Sequence, residues 1–115
     1  MEIMPRETIE ITVVLYPADG MWVAQGLEFD ITARGNSPAD ASERFNSKVG
    51  AELVVSFEAG DATPLSGIDP APQKFWEMYK NARMSVISEE MPLRITDGGR
   101  ASRVKPHIKI FDRAA

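Results

Sequence analysis

Cysteine is absent from the 115 residues, and histidine occurs once, at His107. The first absence excludes disulfides, thiolate catalysis and cysteine-ligated zinc. The second leaves no paired-histidine site of the metalloprotease kind, and no glycine-rich loop ending in Lys-Ser or Lys-Thr is present to cradle phosphates. No apolar run nears the roughly 20 residues that span a bilayer, and the start MEIMPRETIEI has no basic segment followed by an apolar one. The expectation is a cytoplasmic chain without membrane contact, cofactor or metal.

What is present is ordinary for a globular domain: 43% hydrophobic and 26% charged residues over a length that fits one core, so residues 1–115 read as a single domain. The net charge of -4 is unevenly spread. Arg100, Arg103, Lys105, Lys109 and Arg113 face only Asp112 in residues 100–115, a local +4, while 8 basic and 16 acidic residues leave -8 in positions 1–99. Such a basic tail pairs internally, pairs between subunits, or holds an anionic partner. Arg100, Arg103, Lys105 and Lys109 are the weak candidates for nucleic-acid contact. A phosphate-binding domain is usually basic overall and interleaves aromatics with its cations, whereas this tail offers only Phe111, so nucleic acid is not the expected partner.

Alternation of side chains in TIEITVVLY places Ile9, Ile11, Val13 and Leu15 on one side of a strand and Glu10, Thr12, Val14 and Tyr16 on the other. Pro17, Asp19 and Gly20 make a tight turn, and strands follow over Met21 to Gly26 and Phe29 to Arg34, giving a three-stranded antiparallel meander. Pairing Tyr16 with Met21 puts Trp22 and Ala24 on the Ile9 side, and Val14, Tyr16, Met21 and Val23 together on the reverse. An uncovered sheet face should be polar. This one is half apolar, so a second cover is expected from the later chain or from another subunit, and Val14, Tyr16, Met21 and Val23 form the candidate oligomer or partner face.

At Gly35 the apolar period changes from two to three or four residues. Ser37 is an N-cap, Pro38 suits the first helical position, and Asp40 complements the positive end of the dipole. Ala41, Phe45, Val49, Leu53 and Phe57 then recur every four residues, a stripe for the sheet, over five to six turns despite Gly50. Residues 59–72, rich in glycine, proline and aspartate, read as a loop, and Gln73 to Ala82 as a short helix with Phe75, Met78 and Tyr79 at core spacing beside Trp76. Residues 83–115 form an extension with three short alternations, MSVIS, PLRIT and HIKIF, and a turn at Asp97-Gly98-Gly99. Pro92, Pro106 and the lysines suggest edge strands. The fold class is thus α+β.

Chemistry is sparse. Glu28 and Asp30, two apart, share a face of an extended chain and could hold a divalent metal or act as acid and base, but no third ligand is spaced to join them. His107 has no evident carboxylate or nucleophile to work with. An enzyme is not expected; the enzyme alternative is a metal-dependent activity on nucleic acid through Glu28 and Asp30.

The segment from about Ile9 to Leu53, with ITVVLY, Asp19-Gly20, Trp22-Val23-Ala24 and Gly35-Asn36-Ser37-Pro38-Ala39-Asp40-Ala41, resembles the N-terminal domain of HicB-like antitoxins. The resemblance implies a β-β-β-α-β arrangement related to a trimmed ribonuclease H-like layout without its nuclease activity, homo-oligomers, and a noncatalytic role in binding and silencing a small RNA-cleaving HicA-type toxin. Gly26 and Asp30 depart from the family's Pro-x-x-Pro-Gly-like turn between the second and third strands. The family's C-terminal DNA-binding domain has no counterpart in Ala59 to Ala115, so autorepression is not implied. The alternative within this class is an orphan that associates only with itself.

Overall fold

In the computed structural model, which describes residues 7–61, 63–82, 84–86, 91–97 and 100–111, the elements run β1 (Glu7–Ala18), β2 (Met21–Gly26), β3 (Thr32–Gly35), α1 (Pro38–Glu58), α2 (Gln73–Asn81), β4 (Met84–Val86), β5 (Met91–Asp97) and β6 (Arg100–Ile110). The fold is α+β. One mixed sheet has the order β3-β2-β1-β6-β4, with β5 also on β6. The meander is antiparallel, β6 returns parallel to β1, and β4 and β5 pair antiparallel with the far side of β6.

The first turn is tighter than expected. Ala18 pairs with Met21, so only Asp19 and Gly20 connect β1 to β2, with positive φ at both (52° and 77°) as two-residue hairpins require. Tyr16 pairs with Val23 rather than with Met21. A shift of two residues preserves side-chain parity, and the facial assignment is unchanged. The third strand corrects the expectation more substantially: it begins at Thr32, not Phe29, and residues 27–31 form a bend closed by Gly26 N–H donating to Ile31 O (2.8 Å). Gln25, only 2% exposed, fills the bend. Its amide donates to Gly26 O (2.9 Å) and Asp30 Oδ1 (2.8 Å), and its carbonyl accepts from the Thr32 hydroxyl (2.7 Å). These local bonds outweigh the alternation of Leu27, Phe29 and Ile31 that suggested a longer strand.

HIKIF also departs from expectation. It lies in β6, inside the sheet between β1 and the β4/β5 edge, and Pro106 is opposite Ile11. On the outer side of β6, Val104 is in register with Met91 of β5 and Ile108 with Val86 of β4. On this side of the sheet β4 and β5 are the outer strands. Gly98 and Gly99 of the expected turn, like Asp112 and Arg113, lie outside the described residues.

α1 packs on the front of the sheet along the expected stripe. Ala41, Phe45, Val49, Leu53 and Phe57 are buried against Ile11, Val13, Leu15, Ala24, Val104 and Ile108. Full burial of each larger side chain contributes about 1.5–3 kcal/mol. The helix start is fixed as the sequence suggests. Ser37 Oγ accepts from Asp40 N–H (3.0 Å), and Asp40 in turn accepts from Asn36 N–H (2.9 Å). Gly35 is required by contact rather than by φ, because a Cβ there would lie 2.4 Å from the backbone nitrogen of Ala41. Only glycine lets the helix leave the strand this closely. Beyond α1, buried Leu65 plugs the same core at a positive φ of 64°, its N–H held by the hydroxyl of buried Ser56 (3.0 Å).

Candidate functional site

Four residues of the reverse face were expected to meet a partner. Val14 and Val23 are 0% and 1% exposed, whereas Tyr16 and Met21 are half-buried. The cover is intramolecular. α2 and the chain leading into it lie over Val14, Leu27 and Tyr16, so the later part of the chain supplies the second layer, and neither valine offers surface to another molecule. The approach segment is anchored by two main-chain bonds, Ala71 N–H to Leu27 O (2.9 Å) and Asp30 N–H to Asp69 O (2.7 Å). Trp76 adds an indole bond to Ala71 O (3.2 Å).

Aromatic contacts complete the layer. Tyr16 and Phe75 stack with centroids 5.9 Å apart, and Lys109 Nζ sits 4.6 Å from the centre of the Tyr79 ring. Burial raises the phenol pKa of both tyrosines. For Tyr79 the Glu28 carboxylate raises it further, whereas for Tyr16 the Arg34 charge works in the opposite direction. No residue of α2 is fully buried. Trp76, Tyr79, Lys80 and Lys109 instead border an open groove of about 660 Å³. The sequence reading favours core packing for the α2 aromatics, and they do pack against buried Val14, Leu27 and Ala71 while remaining half-buried. Their spacing identifies a buried stripe, but a helix of nine residues resting on a sheet cannot bury four large side chains at once.

The two carboxylates proposed as a metal pair are occupied separately. Glu28 accepts from both the N–H and the hydroxyl of Thr12 (2.6 and 2.7 Å), continuing the β1 ladder where β2 ends at Gly26. Asp30 accepts from Gln25. Both lie in the bend, so the shared extended face does not exist. Among the described residues no group of three or more histidines and carboxylates is placed to hold a metal ion.

Of the basic candidates, Arg100, Arg103, Lys105 and Lys109 all fall in β6. Lys105 and Lys109 occupy alternate positions with His107 between them, opposite Glu10, Val14 and Thr12 respectively in the parallel register. His107 Nε2 is 3.0 Å from Glu10 Oε1 across exposed surface, and Lys109 is engaged by Tyr79. His107 and Lys109 are thus engaged by groups of the same chain. No helix among the described residues is long and apolar enough to cross a membrane. Comparison with protein-family models, with curated proteins and with solved structures gives no match.

Proposed function

We propose that this chain is a noncatalytic protein-binding module of the HicB-like kind, self-associating and able to hold a small RNA-cleaving toxin of the HicA type. One observation carries the reading. After the three-stranded meander and α1, and with α2, β4 and β5 intervening, the chain returns as β6 parallel to β1, so that the sheet contains the order β3-β2-β1-β6. With those insertions set aside, this order is compatible with the β-β-β-α-β arrangement that the resemblance implies. The Gly35-to-Ala41 stretch that carries the resemblance performs a structural task there, bringing helix and strand into backbone contact. The separate engagement of Glu28 and Asp30 gives the enzyme alternative no support.

Because α2 already covers Val14, and Val23 is itself buried, self-association rests on the half-buried α2 aromatics rather than on the sheet face itself. Co-expression with a small basic protein of the HicA type, followed by affinity capture and a growth-rescue assay, tests the toxin reading. A retained partner and restored growth are expected; absence of both overturns it. Light scattering coupled to size exclusion tests association, and a clean monomer overturns that part.

A further inference from the structure

Among the described residues β3 is the last strand of the sheet, paired with β2 on one side only. The direction of its main-chain groups follows from two bonds. Ile31 O accepts inward from Gly26 N–H, and Thr32 O accepts outward from Lys48 Nζ (2.7 Å). By alternation, Thr32 and Arg34 turn their backbone N–H and C=O groups away from β2.

An open hollow of about 510 Å³ follows this edge, lined by Thr32, Ala33, Arg34, Arg44 and Lys48. Its charged walls are all cationic, and they flank the strand on both sides. Arg44 and Lys48 come from α1 on the front. Arg34 shares the reverse face with Val23 and Tyr16, to which it is linked in register. The ion pair between Arg44 and Asp40 (3.2 Å) is solvent-exposed, as is Lys48, so both cations can be redirected at little cost. Charged side chains commonly guard an edge against strand addition. Charges of a single sign guard it selectively, repelling basic strands and attracting acidic ones. A second copy is a poor occupant, since twofold pairing of two β3 edges would set the same three cations against themselves.

We propose that the β3 edge is a docking site for an extended, carboxylate-rich segment of a partner protein, added as a strand beside Thr32–Gly35. Alternate acidic side chains of the segment meet Arg44 and Lys48 on one face and Arg34 on the other. An incoming N–H takes over Thr32 O and releases Lys48 to a carboxylate. The inference is independent of the toxin reading, because a small basic toxin would be repelled here.

The test is fluorescence anisotropy of the full chain with a labelled peptide of alternating threonine and glutamate. Controls are its threonine-glutamine counterpart and a glutamate peptide N-methylated at alternate residues. The glutamate peptide should bind at least about tenfold more tightly than either control, a difference of about 1.4 kcal/mol, and should weaken with added salt. R34E/K48E should lose this preference, with R34Q/K48Q as a milder pair should the reversal disturb folding by circular dichroism. Equal binding of the glutamate and glutamine peptides, or no binding by either, overturns the proposal. Undiminished binding of the methylated peptide overturns strand addition. A dimer abolished by R34E would assign the edge to a second copy and overturn it likewise.

Discussion

The two faces of the sheet are built by different means. On the front, α1 lays six buried residues onto an aliphatic surface, and the resulting core runs without a break from Ile11 to Ile108. On the reverse, α2 buries none of its own residues completely, and three buried side chains, Val14, Leu27 and Ala71, are ringed by half-buried aromatics. The front layer is fixed by packing volume. The reverse layer is fixed by a few hydrogen bonds and ring contacts, so it should open at lower free energy than the front. The front face holds the fold, and the lightly held reverse layer presents Trp76 and Tyr79.

The largest test of the comparison is Phe45→Ala. Removing a ring that is 2% exposed should cost about 3–5 kcal/mol and lower the urea midpoint for the entire chain, read by the fluorescence of Trp22 and Trp76 together. Gly35→Ala should follow at about 3 kcal/mol, because the added methyl meets backbone that can move only by lifting α1. Trp76→Ala should cost about 2 kcal/mol, less than a core tryptophan. Hydrogen exchange should then show α2 losing protection while the amides of α1 keep theirs; uniform loss would contradict the division. Glu28→Ala leaves the Thr12 N–H without its acceptor and should cost about 1–3 kcal/mol, with faster exchange at that amide.

The smallest effect concerns pH. The Asn36 N–H, aided by Arg44, holds the Asp40 carboxyl below its ordinary value of 3.8, with desolvation opposing. A depressed folded-state pKa contributes stability above the unfolded-state value and loses it as pH falls through the folded one. Asp40→Asn should therefore flatten the acid limb of the melting temperature against pH, by lowering the neutral plateau slightly while leaving values below the folded-state pKa nearly unchanged.

Legibility in the sequence followed the range of the forces involved. Ser37, Pro38 and Asp40 announce the start of α1, and the fourfold spacing from Ala41 to Phe57 gives its buried side, because capping and helical periodicity act within one segment. The alternation from Ile9 to Tyr16 separates the faces of β1 for the same reason. The bend at residues 27–31 was not legible, since it depends on the Gln25 amide reaching Gly26 and Asp30. Nor was the role of Glu28, whose partner Thr12 is 16 residues away.

By itself, then, the sequence determined the α+β class, the sidedness of the first strands, and the position at which α1 begins. Tertiary structure decided that β6 enters the sheet parallel to β1 with Pro106 inside it, that α2 covers Val14 and Leu27, and that β3 remains an open cationic edge. The physical reason is that side-chain period and capping are properties of neighbouring residues. Which strand pairs with which, and which face receives which helix, is set by burial summed over contacts between distant parts of the chain.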